Sequence, residues 1–281
     1  MMDIISLLEN TNALLTVELE KILATPSPDL DPLYDAMRYS ALSAGKRIRP
    51  HLVLEFSRLF GGNDECALPF ACAIELVHAS SLVHDDMPCM DNDDYRRGRL
   101  TCHKVYGDAT ALLCGDALIL KGCELAASNE YVSPIVARDA AKMLLGLAGG
   151  EGMMGGQNID LCAVEKSISF EELLRMHSLK TGALMRASAL LGCLAAGVPL
   201  GDARADAAEK FASSLGLCFQ ITDDILDAGT EEGTTFLSFM SIDDARAYAE
   251  RESKKAISFI ENYAGSESLI ALCEFLLHRK K

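Results

Sequence analysis

Apolar residues recur every three to four positions along most of this chain, which is the period of helices with one buried face. The opening stretch "MDIISLLENTNALLTVELEKIL" follows that spacing. "SPDLDP" interrupts it, and Asp31 with Pro32 predicts an N-cap and first-turn pair for a second helix. Gly45 in "GKRIRP" predicts the end of that helix, Pro50 can open the next, and "FGGND" closes it. Residues 67–83 and 183–196 are apolar on most faces, so both segments are expected in the interior. Ser169 and Glu172 form a capping-box pattern ahead of "ELLRMHSLKTGALMRASALLGCLAAG", and Asp202 after "VPLG" is positioned to cap the helix that follows. "SIDDARAYAERESKKAISFIENY" reads as an amphipathic surface helix. Alternating β-branched runs are nearly absent, and no repeat or low-complexity linker appears. The pattern predicts a single all-α domain over 1–281.

Composition narrows the function. A chain of 281 residues can bury a sizeable core without metal or disulfide staples. Its net charge of −15 argues against nucleic acid as a partner. An acidic protein that binds phosphate must gather its cations locally or use metals. Ten cysteines occur without any C-x-x-C pair, mostly inside apolar runs, so they read as reduced, small hydrophobes and not as a zinc site. The N-terminus carries Asp3 and Glu9 without a basic start, and no apolar run reaches the ~18 residues of a membrane span. A cytoplasmic protein without a transmembrane segment is expected.

Two acidic clusters carry the candidate chemistry. In "DDILD", Asp223 and Asp227 lie roughly 40° apart around a helix, so their carboxylates project from one face, with Asp224 beside them and Ile225 and Leu226 able to turn to the core. Two carboxylates one turn apart suit Mg2+, which takes one or two carboxylates together with substrate phosphates. In "DDMPCMD", Asp85 and Asp91 are separated by roughly 240° of regular helix, so they converge only if the helix ends between them. Pro88 sits where that break is needed, next to Asp86. Either cluster alone reads equally as a solvated acidic surface. Two of them, each ending an apolar helix where carboxylates oppose the helix dipole, point to a bound cation.

Cations stand beside the acids. "AGKRIRP" supplies Lys46, Arg47 and Arg49, "YRRGR" supplies Arg96, Arg97 and Arg99, and Lys180 precedes Thr181. His78 lies two turns before Asp85 on nearly the same face. Each taken singly reads as a surface charge. Together with two metal-ligand clusters they read as phosphate ligands. "GGEGMMGGQNID" lacks the phosphate-loop lysine; Gly155 and Gly156 read as close helix packing, with Gln157 and Asp160 supporting the site.

The motifs "GKRIRP", "DDMPCMDNDDYRRGRLTCHKVYG", "GDAL", "GGQNID", "KTGAL" and "FQITDDILD", in this order, resemble the trans-prenyltransferases, the short-chain isoprenyl diphosphate synthases. Within that family the chain is similar to bacterial farnesyl and to bacterial or plant geranylgeranyl diphosphate synthases. The resemblance implies an all-α bundle around a deep cavity, working as a homodimer on isoprenyl diphosphates with three Mg2+ ions. It implies that Asp85, Asp86 and Asp91 hold two of the ions on an allylic diphosphate, and that Asp223, Asp224 and Asp227 hold the third. Arg96 and Lys180 would contact the allylic diphosphate. Lys46, Arg49, His78 and Arg97 would form the isopentenyl diphosphate pocket, and Thr181 and Gln220 would line the reacting carbons. Farnesyl-producing relatives of this motif type usually carry an aromatic residue at the position of Ser80. With Ser80 and Ser81 small here and roughly 6–8 Å below Asp85, a geranylgeranyl product is expected, with farnesyl as the runner-up. A hydroxyl at Ser80 bonded one turn back and facing away from the cavity is the competing reading.

One stretch departs from the family. Only "AGTEEG" separates Asp227 from "TTFLSF", where the family carries a longer loop with lysines that close over the allylic diphosphate. A true deletion, which implies weakened closure, and an omitted segment stand as alternatives. Two other function classes remain beside the enzyme: a non-catalytic subunit that modulates a partner, and a class I terpene cyclase. The cyclase has no need of a second diphosphate pocket.

Overall fold

The computed structural model describes residues 3–163, 166, 168–229 and 233–279. Helices dominate, in the order the apolar period predicts. The first four are α1 (Ile4–Ile22), α2 (Asp31–Ala41), α3 (Ile48–Leu59) and α4 (Asp64–Asp85). A two-stranded hairpin, β1 (Tyr95–Arg96) and β2 (Arg99–Leu100), separates them from the short α5 (Cys102–Tyr106) and from α6 (Asp108–Ala127). There follow α7 (Pro134–Ala148), α8 (Met153–Ala163), α9 (Phe170–Lys180) and α10 (Gly182–Ala195). The chain ends with α11 (Ala203–Leu226), α12 (Ile242–Ile260) and α13 (Glu267–His278).

The two all-round apolar segments are the axis of the bundle. Every residue of α10 except Arg186 is buried. Helix α4 packs on α3, α6 and α10, while α10 also packs on α11. The sequence reading found no apolar run of membrane-spanning length, yet α4 is long and apolar enough to cross a bilayer, with a mean hydropathy of 1.6. Two thirds of that window is buried inside the protein, so its apolarity serves the core. Phe56 and Phe211 meet edge to face at 5.4 Å, joining α3 to α11.

Local signals fix most boundaries. The Ser169 hydroxyl accepts from the Glu172 N–H, and the Glu172 carboxylate accepts from the Ser169 N–H, completing the expected capping box. Asp202 caps α11 through the Arg204 N–H. Elsewhere the expected boundaries shift. Leu30 is the N-cap of α2, with Asp31 already helical, and α2 ends at Ala41, before Gly45. Helix α3 begins at Ile48, with Pro50 inside its first turn. The hairpin, which no β-branched run announced, is made by its turn. Arg96 pairs with Arg99, and the two linking residues, Arg97 and Gly98, have φ of 53° and 76°, as a tight hairpin turn requires.

Candidate active site

A cavity of about 1010 Å³ opens between α3, α4, α8, α9, α10 and α11. One of its walls is cationic. Arg47 takes the left-handed conformation, with φ 49° and ψ 38°, at the start of α3. Its side chain is thereby drawn inward, donating to Asn12 at 2.9 Å and to the Ser43 carbonyl at 2.8 Å, and pairing with Glu75 of α4. The same turn brings Lys46 and Arg49 to the cavity. Arg49 Nη1 donates to His78 Nε2 at 3.2 Å. Burial pulls the Arg49 guanidinium down to about 10 against the attraction of Glu75. Burial first, then Arg49, Arg97, Arg47 and Arg96, hold His78 well below its ordinary value, so its ring is neutral. Arg97 joins this wall by donating to the Ala44 carbonyl at 2.7 Å. It passes so close to Gly45 that a Cβ there would lie 2.5 Å from its Nη1, so a larger residue would push the end of the Arg97 side chain aside.

Another part of the lining is acidic. Helix α4 ends at Asp85, and the Asp91 N–H returns to the Asp85 carbonyl at 2.9 Å, so the chain turns back as the spacing required. Burial pushes the Asp85 carboxyl up to about 6; Asp91 and Asp86 add to this, while Lys180 and Arg96 oppose it. Asp91 is raised by burial as well, and feels Lys180 and Asp160. Lys180 is held by Asp160 at 2.5 Å, so Asp160 of α8 supports the site as expected. Gly156 lets α8 approach the end of α9 closely, since a Cβ there would lie 2.1 Å from the Lys180 backbone nitrogen. Gly155 instead approaches the Gly150 carbonyl, so its packing is with the turn before α8 and not with another helix. The "GDAL" motif seats the ring of His84, whose Nε2 lies 3.6 Å from Asp116 and would be 2.1 Å from a Cβ on Gly115.

Asp223 of α11 lines the same cavity as Asp85. Its carboxyl is raised by burial and lowered by Arg279, which pairs with it, donates to the Phe219 carbonyl at 3.2 Å and lies over the Phe219 ring at 4.0 Å. Arg279 arrives from the far end of the chain, and nothing in the sequence announces it. Lys46 also feels both Arg279 and Asp223. Asp227 ends α11, its N–H bonded to the Asp223 carbonyl at 2.9 Å.

The cavity is lined by Lys46, Arg49, His78, Ser80, Ser81, Asp85, Arg96, Arg97, Lys180, Thr181, Gln220 and Asp223 of the expected residues. Asp86, Asp91, Asp224 and Asp227 do not line it. Asp86 is buried and accepts from Arg96 Nε at 2.5 Å. Asp224 is buried and accepts from the Phe236 N–H at 2.7 Å, which anchors the chain after "AGTEEG". It, and not Ile225 or Leu226, turns furthest from solvent, because it caps a backbone group that would otherwise be orphaned. Among the described residues no three acidic, histidine or cysteine side chains already converge on one ion. The departure at "AGTEEG" falls partly on residues 230–232, which lie outside the described residues.

Below the acidic rim the walls turn apolar, with Met153, Leu161, Leu184 and Phe219. Ser80 is 1% exposed, and its hydroxyl has no partner, so it is not bonded one turn back. That bond belongs to Ser81, which donates to the His78 carbonyl at 2.9 Å. Sequence reasoning passed over Glu75, and it read Arg47 as a phosphate ligand where the structure pairs it with that carboxylate. The signal for Glu75 was present, as a lone carboxylate inside an apolar run.

Residues 31–236 match the polyprenyl synthetase family. The chain is 37% identical over 284 residues to the heterodimeric geranylgeranyl pyrophosphate synthase large subunit 1 of Arabidopsis thaliana, covering 92% of this chain and 76% of that one. It is 35% identical over 282 residues to the farnesyl diphosphate synthase of Bacillus subtilis, covering 94% and 95%. A crystal structure of an FPP/GFPP synthase from Zymomonas mobilis superposes with a TM-score of 0.93 at 34% identity, over 98% of this chain and 99% of that one.

Proposed function

The chain belongs to the polyprenyl synthetase family, and from that premise we propose that it condenses isopentenyl diphosphate with allylic diphosphates in a Mg2+-dependent reaction. The observation that carries the reading is a single cavity with two kinds of polar wall. One gathers Arg49 and Arg97 about the lone Glu75, with neutral His78 on Arg49; the other holds Asp85 with Lys180 and Arg96 nearby, and Asp223 with Arg279 and Lys46. A terpene cyclase would have no use for the first wall.

The carboxylates suit Mg2+. Asp85, Asp91 and Asp223 are all raised chiefly by burial, the condition of carboxylates short of counter-charge. Asp85 with Asp91 would hold ions on one side, and Asp223 with Asp227 on the other, the diphosphate oxygens completing the shell. Asp86 and Asp224 serve beside them, one fixing Arg96 and the other the Phe236 backbone. Bound there, Mg2+ would neutralise the diphosphate as it departs.

The chain's own groups do the rest. Arg96 and Lys180 bind the allylic diphosphate, and Lys46, Arg49, His78 and Arg97 bind that of isopentenyl diphosphate. The allylic C–O bond breaks with its electrons leaving on diphosphate. The double bond of isopentenyl diphosphate then forms the new C–C bond, and a proton leaves to the released diphosphate. Thr181 and Gln220 line the reacting region, and the apolar walls keep water from the cation. Among the described residues, Arg279 and Lys46 are the cations that Asp223 feels. The small, unpartnered Ser80 favours a geranylgeranyl product over a farnesyl one.

Exposed leucines on α6 favour a homodimer, and ten free cysteines favour a reducing, cytoplasmic setting. Incubation with Mg2+, labelled isopentenyl diphosphate and each allylic starter tests the reading. Elongated prenyl diphosphates are expected; cyclised hydrocarbon, or no product alone and with added prenyl synthase partners, would refute it.

A further inference from the structure

Behind the catalytic cavity lies a second one, of about 290 Å³, enclosed by α9, α10, α11 and α12. Its polar groups are mostly donors. Arg186 lines it, the single residue of α10 that escapes full burial, and its Nε is shut from solvent with no partner. Among the described residues no carboxylate forms an ion pair with Arg186. His177 lines the same cavity and is 8% exposed. Gln220 meets its Nδ1 at 3.3 Å; with the amide donating, the ring proton sits on Nε2, which is buried and unpartnered. The ring is fixed by stacking on Phe236 at 5.2 Å. From α12 comes a second cation, Lys255, half-exposed and 3.4 Å from Glu252. Hydroxyls of Ser178, Ser213, Ser214 and Tyr248 complete the polar lining.

Arg186 and Lys255 against Glu252 leave one net positive charge. Two N–H donors without acceptors, on different walls, call for a ligand rich in acceptors. A tetrahedral oxyanion can meet donors from α9, α10 and α12 at once, whereas the two coplanar oxygens of a carboxylate cannot. Leu174 and Leu217 leave an apolar wall for a short carbon chain. We propose that this cavity binds a small phosphate-bearing anion, separately from the substrate pockets, and that its occupancy is felt by the reaction through His177. The route is short. Lys180 and Thr181 follow His177 by one turn on α9, and Gln220, which His177 touches, lines the catalytic cavity. The coupling half of the inference rests on the prenyl-transfer reading; the binding half does not.

Equilibrium dialysis of the full chain against labelled inorganic phosphate tests the site. Excess isopentenyl diphosphate and an unreactive allylic thiodiphosphate keep the catalytic cavity filled. The parent is expected to bind phosphate, Arg186→Gln to weaken it at least tenfold, and Lys255→Gln severalfold, with basal turnover within twofold in both. Acetate at equal concentration should not displace it. If Arg186→Gln does not fold, Lys255→Gln decides, since its side chain lies at the rim. No bound phosphate, binding unchanged in the folded variants, or displacement by acetate would overturn the site. At saturating substrates, phosphate should change parental turnover at least twofold, and Arg186→Gln should need about tenfold more; binding without any change in turnover would overturn the coupling. Arg186-dependent binding in a protein that transfers no prenyl group would leave the site standing and remove the activity reading instead.

Discussion

Asp85 is held in a conflict that its neighbours do not relieve. Burial, Asp91 and Asp86 push its carboxyl from 3.8 to about 6, beyond what Lys180 and Arg96 recover. A folded-state value above the unfolded one means the native state binds the proton more tightly. The stabilising contribution is therefore full below 3.8 and lost as pH rises through about 6. At pH 7 without metal, the charged carboxylate costs stability. Asp85→Asn is expected to raise the Tm at pH 7 in chelator by roughly 2–4 °C while lowering turnover by orders of magnitude under saturating Mg2+. Melts at pH 7 and near pH 4 check it, because the gap should close at the lower pH; an unchanged Tm at pH 7 would sink the account. Ser80 makes the second case at this scale. Its hydroxyl is buried, unpartnered and on the cavity wall. Ser80→Phe is expected to shift product from geranylgeranyl to farnesyl diphosphate, read by chromatography with isopentenyl diphosphate in excess. An unchanged product would remove Ser80 from the floor.

The Arg47–Glu75 ion pair ties the start of α3 to α4, and the cationic wall depends on it. The left-handed turn at Arg47 is tolerated because its guanidinium is tied to α1, to the end of α2 and to α4. Glu75 is also the carboxylate that Arg49 and Arg97 feel. Glu75→Gln leaves buried Arg47 and half-buried Arg49 without that counter-charge and should cost about 3–5 kcal/mol of stability. It should also raise KM for isopentenyl diphosphate about tenfold, leaving kcat and the allylic KM within twofold. The double variant Arg47→Met with Glu75→Leu separates packing from positioning. Stability should largely return, since apolar residues replace a buried pair at little cost, but the KM should stay high. Recovery of both together would make the pair purely structural.

Helices α6 and α7 leave large apolar side chains uncovered. Leu113 and Leu120 of α6 are 58% and 68% exposed and lie two turns apart on one face, with Ile135 and Leu145 exposed on the adjoining α7. A monomer that left this face in water would be prone to association. Leu113→Glu with Leu120→Glu is expected to turn a dimer into a monomer in sedimentation velocity. A parent that already sediments as a monomer at assay concentration would contradict the dimer.

The helical class, the order of the helices and the identity of most charged groups at the cavity were legible in the sequence alone. The reason is that they depend on short spacings: the apolar period, the box at Ser169 and Glu172, the break at Pro88, and the paired acids and clustered cations. Such spacings set a residue's angle about its own helix, and nothing beyond it. Asp223 and Asp224 are adjacent, yet one faces the cavity and the other holds the Phe236 backbone in the core. That choice depends on which element packs behind α11, which no local pattern states. The same holds for Arg279, which reaches Asp223 from 56 residues away. It holds too for Glu75, whose partner waits at the start of another helix, and for Arg186, orphaned in an otherwise buried helix because α12 leaves a gap beside it. Pairing and burial are decided by neighbours distant in sequence, so only the tertiary structure could assign them.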